Sequence, residues 1–268
     1  MTWRTNRQTH WLVCRDAYGR WRASRHGVTD HIEEELVLEL SHWNVPAETS
    51  QSSVECRSSQ SWVKRMKLYY LPGASSLFPH IVLVEAGFAF DAVKVDEHTK
   101  AIDGGGDYRS VHPLGYVPAL QLGDGTVLTE TVAIAQYVCD RVPEKNLAPP
   151  NGTFERAKLQ SWLNFISSEL QLGCFCPLFE REIPAAVKAI FRRRLDSRLA
   201  YLEQHLVGNA YLLGNEFSIA DVYLFVVSNW ARSVEVDLSS YPGILALRKC
   251  VRLRPAVQQA MRKENLIP

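Results

Sequence analysis

Short apolar runs separated by polar turns fill the chain between residues 66 and 142 and predict strands. Their lengths of three to six residues, and in one case their strict alternation, are typical of strands rather than helices. The last two runs flank Gly-Asp-Gly, which favours a hairpin. The predicted strands are KLYYL at 67–71, DAVKV at 91–95, and the hairpin arms 117–122 and 126–128.

Two helices are predicted among these strands. Ser75 or Ser76 can cap a helix that runs to about Gly87, and a second helix runs from Glu130 to Arg141. The resulting order of strand, helix, strand, hairpin and helix predicts a small mixed sheet with helices on its faces.

Strand patterns disappear after a loop at 146–153, and helical periodicity takes over. The helical stretches are 153–173, 185–207, 218–233 and 243–263. Ser218 and Asp221 have the spacing of a reciprocal capping box at the start of the third stretch. We therefore predict two domains, an α/β domain over 66–145 and an all-helical domain over 153–268.

Composition restricts the class of protein further. The 268 residues carry a net charge of +1, so no overall field favours nucleic acid or an anionic membrane. The chain has no apolar run near the roughly 18 residues that span a bilayer. Six cysteines are too few for a disulfide scaffold in a chain of this length. We expect a soluble cytoplasmic protein that binds neither nucleic acid nor membrane.

The first 65 residues differ in composition from the rest. They hold five of the seven tryptophans and none of the ten phenylalanines, and they end in a polar, serine-rich segment before Met66. We interpret 1–65 as an extension that is disordered, or as upstream sequence preceding a start at Met66. A transit peptide is the alternative, because arginines are dense at the front, but the acidic run 33–35 argues against it.

Four blocks in order resemble a known family. They are MKLYYLPGASSLFPHIVLVEAG at 66–87, HPLGYVPALQLGDGTVLTETVAIAQY at 112–137, WLNFISSEL at 162–170 and FSIADVYLF at 217–225. Together they resemble the bacterial beta-class glutathione S-transferases over nearly all of 66–268. The resemblance implies a thioredoxin-like N-terminal domain, an all-α C-terminal domain, a homodimer, and glutathione as co-substrate without a metal.

The resemblance also implies the residues that bind glutathione. Val117, before a proline that is cis in the family, would offer its backbone to the cysteinyl part. Glu130 would take the γ-glutamyl ammonium, and Thr131 at a helix N-terminus its carboxylate. Lys100 matches a lysine at the glycyl end, although a solvated loop lysine is an equal alternative. Asn164 matches a residue that can reach glutathione from the second domain, either of the same subunit or of the partner subunit, although a structural role is almost as plausible.

The chain departs from the family at two positions of the site. Ser75 stands where the family has its reactive cysteine, and Gln171 stands where it has a histidine. A serine cannot form a mixed disulfide, but its hydroxyl can donate a hydrogen bond to the glutathione thiolate. The chain also has one residue more than its relatives near Cys174 and Cys176, where an insertion is expected.

The hypothesis is a transferase that conjugates glutathione to small electrophiles, with Ser75 as the catalytic residue. One alternative is a protein that binds glutathione or acts as a scaffold without catalysis. Another is a glutathione-dependent thiol reductase or peroxidase, which would need Cys174 or Cys176.

Overall fold

In the computed structural model, the described residues are three short segments near the N-terminus and all of 66–268. The chain divides into two units, 1–53 and 54–268. The described part of the first unit is an antiparallel sheet in the order β1-β2-β3, with strands β1 Arg4–Thr5, β2 Trp11–Arg15 and β3 Trp21–Arg25. The sequence analysis did not predict these strands. The remainder of the predicted extension lies outside the described residues, and its status stays a prediction.

The second unit begins with a four-stranded mixed sheet. Its strands are β4 Met66–Tyr70, β5 Phe90–Lys94, β6 Ala119–Gln121 and β7 Val127–Thr129. They lie in the order β5-β4-β6-β7, with β5 parallel to β4 and the other neighbours antiparallel. The helices are α1 Leu77–Ala86 and α2 Thr131–Cys139. The predicted thioredoxin-like arrangement is confirmed, with strand bounds shifted by one or two residues.

Ser76 is the N-cap residue of α1, but neither predicted serine caps the helix through its side chain. The Ser76 hydroxyl instead lies 3.1 Å from both the N–H and the carbonyl oxygen of Leu71, and it is fully buried. These bonds stabilise the loop before the helix. Because the hydroxyl is bound to Leu71, it does not cap the N–H groups of the helix. At the other end Gly87 has φ 78°, a left-handed conformation that favours glycine and ends the helix as predicted.

The predicted all-helical second domain is confirmed. Its α-helices are α3 Phe154–Asn164, α4 Cys176–Phe179, α5 Ala185–Leu206, α6 Ile219–Asn229, α7 Pro242–Arg252 and α8 Pro255–Lys263. A π-helix, Phe165–Phe175, continues directly from α3. Short 3₁₀ turns occupy Tyr108–Ser110 and Pro143–Lys145 in the first domain.

Two helix predictions were wrong in detail. The stretch 243–263 is two helices rather than one, because Pro255 has no N–H for a continuing helix and suits the first turn of a new one. The stretch 153–173 changes from α to π at Phe165. The insertion expected near Cys174 and Cys176 from the resemblance stays a prediction.

The predicted capping box at the start of α6 is present. Asp221 accepts hydrogen bonds from the Ser218 N–H at 2.8 Å and from the Leu212 N–H at 2.8 Å. The carboxyl group is fully buried, and burial outweighs these bonds and raises its pKa to about 6. Asp221 therefore ties the loop before α6 to the helix start.

The two domains share one hydrophobic core. Helix α1 packs against α2 on its own side and against α6 and α8 of the helical domain. Phe78 of α1 stacks on Tyr223 of α6 with ring centroids 4.6 Å apart, and both rings are buried. The start of α1 is consequently held by residues of both domains.

Candidate functional site

One edge of the four-stranded sheet brings together segments that are far apart in sequence. Tyr69 of β4 pairs with Ala119 of β6, and Ala119 pairs with Thr129 of β7. Since β4 and β7 run opposite to β6, the ends of β4 and β7 and the start of β6 lie at the same edge. Ser75, Val117 and Glu130 belong to the segments that leave or enter the sheet there.

Ser75 lies in the loop between β4 and α1, two residues before the helix. It is half-buried, and its carbonyl accepts the Phe78 N–H at 3.1 Å. Its hydroxyl has no hydrogen-bond partner in the described part of the chain, whereas the hydroxyl of Ser76 is bound to Leu71. Ser75 is thus the serine whose hydroxyl remains available to a ligand beside the helix N-terminus.

The loop that carries Ser75 is anchored by the helical domain. The Trp230 indole N–H donates to the Gly73 carbonyl at 2.8 Å, and the Gly73 N–H donates to a Glu264 carboxylate oxygen at 2.9 Å. The other oxygen of Glu264 lies 2.7 Å from His80 Nδ1, and both side chains are buried. Gly73 has φ +72°, so a residue with a side chain would be strained there. These contacts fix the backbone that positions Ser75.

Val117 precedes Pro118 through a cis peptide bond, as the resemblance implied. Its side chain packs against the buried cluster of Tyr69, Tyr108 and Ala119. Its N–H and carbonyl make no hydrogen bond to any other residue of 66–268. An extended peptide can pair with these two free groups as an added strand.

Glu130 and Thr131 form the start of α2. Glu130 has φ 72° and ψ 117°, a conformation that is unfavourable for a residue with a side chain. Its side chain is exposed and caps no helix N–H, while Thr131 is 8% exposed. Such strain is often found where a side chain must face a ligand. The free N–H groups at the N-terminus of α2 can donate hydrogen bonds to an anion.

Lys100 and Asn164 lie further out. The aliphatic stem of Lys100 packs against Gly115, two residues before Val117, and its ammonium makes no ion pair within the described residues. Lys100 also has φ 62°. Asn164 is exposed at the end of α3, where its carbonyl accepts the Ser168 hydroxyl at 2.8 Å. No described contact joins Asn164 to the other candidate residues.

Gln171 lies in the π-helix, and its side chain accepts a hydrogen bond from a residue of α6. The Tyr223 hydroxyl donates to Gln171 Oε1 at 2.7 Å. Burial raises the pKa of Tyr223 far above its usual range, and it outweighs a hydrogen bond with the Ser167 side chain, which lowers this pKa. Tyr223 therefore stays a neutral donor, which leaves the amide N–H groups of Gln171 free for another partner.

The two cysteines near the π-helix lack the features of reactive thiols. Burial raises the pKa of Cys174 and of Cys176, so both remain protonated at neutral pH. Cys174 is fully buried. Among the described residues no group of three or more His, Cys, Asp or Glu side chains could hold a metal ion. No helix in the described part of the chain is long and apolar enough to cross a membrane.

Several residues of the site escaped the sequence analysis. Trp230 and Glu264 come from the helical domain, about 160 and 190 positions after the loop that they hold. Nothing local in the sequence marks them, because a long-range contact leaves no periodicity. Tyr223 lies within the fourth block of the resemblance. Its place in an apolar helical stretch suggested only that it would be buried, and nothing in the sequence indicated its hydrogen bond to Gln171.

Comparison with known proteins agrees with this geometry. The models of the glutathione S-transferase N-terminal and C-terminal domains match residues 76–141 and 165–255. Glutathione S-transferase GstA of Escherichia coli O157:H7 is 44% identical over 201 residues, which covers 75% of this chain and 100% of the relative.

Two solved structures are similar over the same region. A sphingomonad glutathione S-transferase complexed with glutathione is 41% identical with a TM-score of 0.72. The bacterial beta-class enzyme of Sphingomonas chungbukensis is 42% identical with a TM-score of 0.72. Each similarity covers 75% of this chain and 100% of the other. The chain belongs to the glutathione S-transferase family and is similar to its bacterial beta class.

Proposed function

We propose that this protein conjugates the thiolate of glutathione to small electrophiles and that Ser75 takes the place of the beta-class cysteine. The observation that carries the proposal is the free hydroxyl of Ser75 beside the N-terminus of α1, in a loop that Trp230 and Glu264 of the helical domain anchor. A similar structure that is 41% identical is described as a complex with glutathione, which supports the co-substrate.

Glutathione lies across the sheet edge in this proposal. The free N–H and carbonyl of Val117 pair with the cysteinyl residue. Glu130 binds the γ-glutamyl ammonium, and Thr131 with the α2 N-terminus binds the γ-glutamyl carboxylate. Lys100 extends from beside Gly115 toward the glycyl carboxylate. Asn164 contributes from the rim of the helical domain.

The chemical step is nucleophilic attack by sulfur. Glutathione loses its thiol proton to solvent, and the Ser75 hydroxyl donates a hydrogen bond to the resulting thiolate. The sulfur then forms a C–S bond while the leaving group departs from the electrophilic carbon with its electron pair. A charge-assisted hydrogen bond contributes roughly 1.5–3 kcal/mol, enough to lower the thiol pKa by one to two units.

Gln171 has a supporting role in this scheme. Tyr223 occupies its oxygen, so the amide N–H groups are the part of Gln171 that is free for the ligand. An amide carries no charge, so it stabilises the thiolate less than a protonated histidine would. We therefore assign to Ser75 the larger share of thiolate stabilisation.

The active protein is proposed to be a cytoplasmic homodimer acting on small molecules. The four described cysteines, Cys139, Cys174, Cys176 and Cys250, are free thiols, which fits a reducing compartment. The homodimer is what the similarity to the bacterial beta class implies.

Conjugation is tested with the full chain, glutathione and 1-chloro-2,4-dinitrobenzene, whose ring carbon accepts sulfur and releases chloride. We expect thioether and chloride to form in equal amounts, at a rate proportional to enzyme. Glutathione binding without product, over a panel of aryl halides and epoxides, would overturn the proposal.

The second candidate function is glutathione binding without catalysis. The replacement of two site residues, by Ser75 and Gln171, favours it. It predicts that bound glutathione keeps the pKa of the free thiol.

A further inference from the structure

A cavity of about 320 Å³ lies in the helical domain, at the corner where α7 ends and α8 begins. Its lining residues come from the last turn of α7, from the link between the two helices, from α8 and from residues 267–268. None of the seven candidate site residues lines it in the part of the chain that the structure describes. Its volume is at the lower end of the range of roughly 300–1,000 Å³ that is typical of small-molecule sites, so a ligand that fills it is small.

Three cations line this cavity. Lys249 and Arg252 belong to the last turn of α7, and Arg262 belongs to the last turn of α8. All three are exposed, and none makes an ion pair with an acidic side chain of the described residues. Arg262 donates to a main-chain oxygen of Pro268 and to Gln258, each at 3.2 Å, and its remaining N–H groups can serve a ligand. No lining side chain in the described part of the chain is acidic, so the cavity favours an anion with more than one charge.

The segment around the cavity carries an excess of positive charge. Residues 242–268 contain six Lys or Arg and a single acidic residue, Glu264. Glu264 is buried and does not line the cavity. Arg254 pairs with Glu85 of α1, but the three lining cations have no such partner among the described side chains. The overall charge of the chain is close to neutral, whereas the field at this corner is positive.

Repulsion between cations is already present at the end of α7. Burial lowers the pKa of Arg248, and the positive charge of Arg252, one turn later in the helix, lowers it further. A bound anion would relieve this repulsion, because it places negative charge beside the lining arginine.

The apolar part of the lining is aliphatic. It consists of Leu253, Ile267 and Pro268, and no aromatic residue is among the described lining residues. Leu253 is 65% exposed, which leaves a large apolar side chain in contact with water. A ligand with a short aliphatic group removes part of this surface from water, whereas an aromatic ligand finds no ring here on which to stack.

We propose that this cavity binds a small organic diphosphate with a short aliphatic body. The diphosphate lies between Lys249, Arg252 and Arg262, since Lys and Arg both bind phosphate oxygens and Arg can do so with two parallel hydrogen bonds. The aliphatic body covers Leu253 and packs against Ile267. The site is separate from the proposed transferase site, and binding there does not depend on catalysis.

The test measures binding of isopentenyl diphosphate to the full chain by titration calorimetry, with the glutathione site saturated by S-hexylglutathione. We expect saturable binding that Arg252→Gln weakens about tenfold, the loss of one charge-assisted contact. Arg193→Gln, the same change at an exposed arginine of α5 outside the cavity, leaves the affinity unchanged. Equal affinities of the two variants would overturn the proposal, as would a lack of binding at millimolar concentration.

A second comparison tests the aliphatic part of the proposal. Inorganic pyrophosphate keeps the charge but has no aliphatic body, so we expect it to bind more weakly than isopentenyl diphosphate. Leu253→Ala shortens an exposed side chain, and it should weaken isopentenyl diphosphate about threefold while the affinity for pyrophosphate stays unchanged. Equal affinities for the two ligands in the native chain would overturn the aliphatic specificity. Binding that occurs only when S-hexylglutathione is left out would place the ligand in the glutathione site and overturn the proposal.

Discussion

At the scale of single residues, the proposed chemistry depends on which of two adjacent serines faces the ligand. Ser76 is buried and bound on both sides to Leu71, whereas Ser75 is half-buried with a free hydroxyl. The sequence alone named Ser75 as the leading candidate through its match to the family cysteine. The sequence could not show that the Ser76 hydroxyl is already hydrogen-bonded, because its partner, Leu71, lies five residues earlier in the chain.

Ser75→Ala should lower the conjugation rate much more than the affinity for glutathione. The hydroxyl is proposed to contact only the sulfur, so removing one charge-assisted hydrogen bond lowers kcat/KM by roughly 10- to 100-fold. Initial rates with 1-chloro-2,4-dinitrobenzene and a calorimetric Kd for glutathione separate the two effects. A variant with unchanged rate would remove Ser75 from the mechanism.

At the scale of elements, the π-helix Phe165–Phe175 is the feature that periodicity could not predict. An apolar pattern is nearly the same for α and π turns, so the stretch was predicted as one helix. The resemblance predicts an insertion near Cys174, but it does not predict which type of helix forms there. The π-helix carries Gln171, so its geometry decides where that amide lies.

Gly173→Ala should destabilise this π-helix. A Cβ at position 173 would lie 2.6 Å from the Ser168 carbonyl oxygen, a backbone atom that cannot move without shifting the helix. We expect a loss of about 1–3 kcal/mol of unfolding free energy, typical of overpacking. Urea denaturation measures the loss of unfolding free energy, with Ser161→Ala at an exposed position of α3 as the control. Equal denaturation midpoints for the two variants would contradict this prediction and show that the π-helix backbone accommodates the added Cβ without cost.

The buried carboxyl group of Asp221 predicts a pH dependence of stability. Its pKa rises from 3.8 to about 6 on folding, so between these values the folded chain holds a proton that the unfolded chain has released. Stability from this group is complete below about pH 4 and is lost as pH rises through 6. The stability advantage of the native chain over Asp221→Asn should therefore shrink between pH 4 and 6, by up to about 3 kcal/mol. Denaturation of both at each pH tests this, and an advantage that grows with pH would contradict it.

At the scale of the whole molecule, the order of elements was predictable and the contacts between domains were not. The strand and helix patterns, together with the hairpin turn, predicted the mixed sheet and the helical domain in the right order. The anchoring of the Ser75 loop by Trp230 and Glu264 depends on how two domains pack, which no local pattern encodes. The extension over residues 1–65 stays a prediction, and strands β1 to β3 lie within it.

The proposed homodimer predicts a solution mass of twice the 30.4 kDa chain. Analytical ultracentrifugation over a range of concentrations measures the mass directly. A single species at the monomer mass at micromolar concentration would exclude the dimer from the account.

Thiolate activation by Ser75 is tested most directly by the ultraviolet absorbance of the glutathione thiolate bound to the purified full chain, titrated against pH. The measurement needs no choice of electrophile, and Ser75→Ala serves as the matched control. We expect a saturable thiolate signal with a pKa one to two units below the free thiol value of about 8.5, and a return toward that value in the variant. Bound glutathione that titrates like the free thiol, with binding shown in the same sample, would contradict thiolate activation by Ser75.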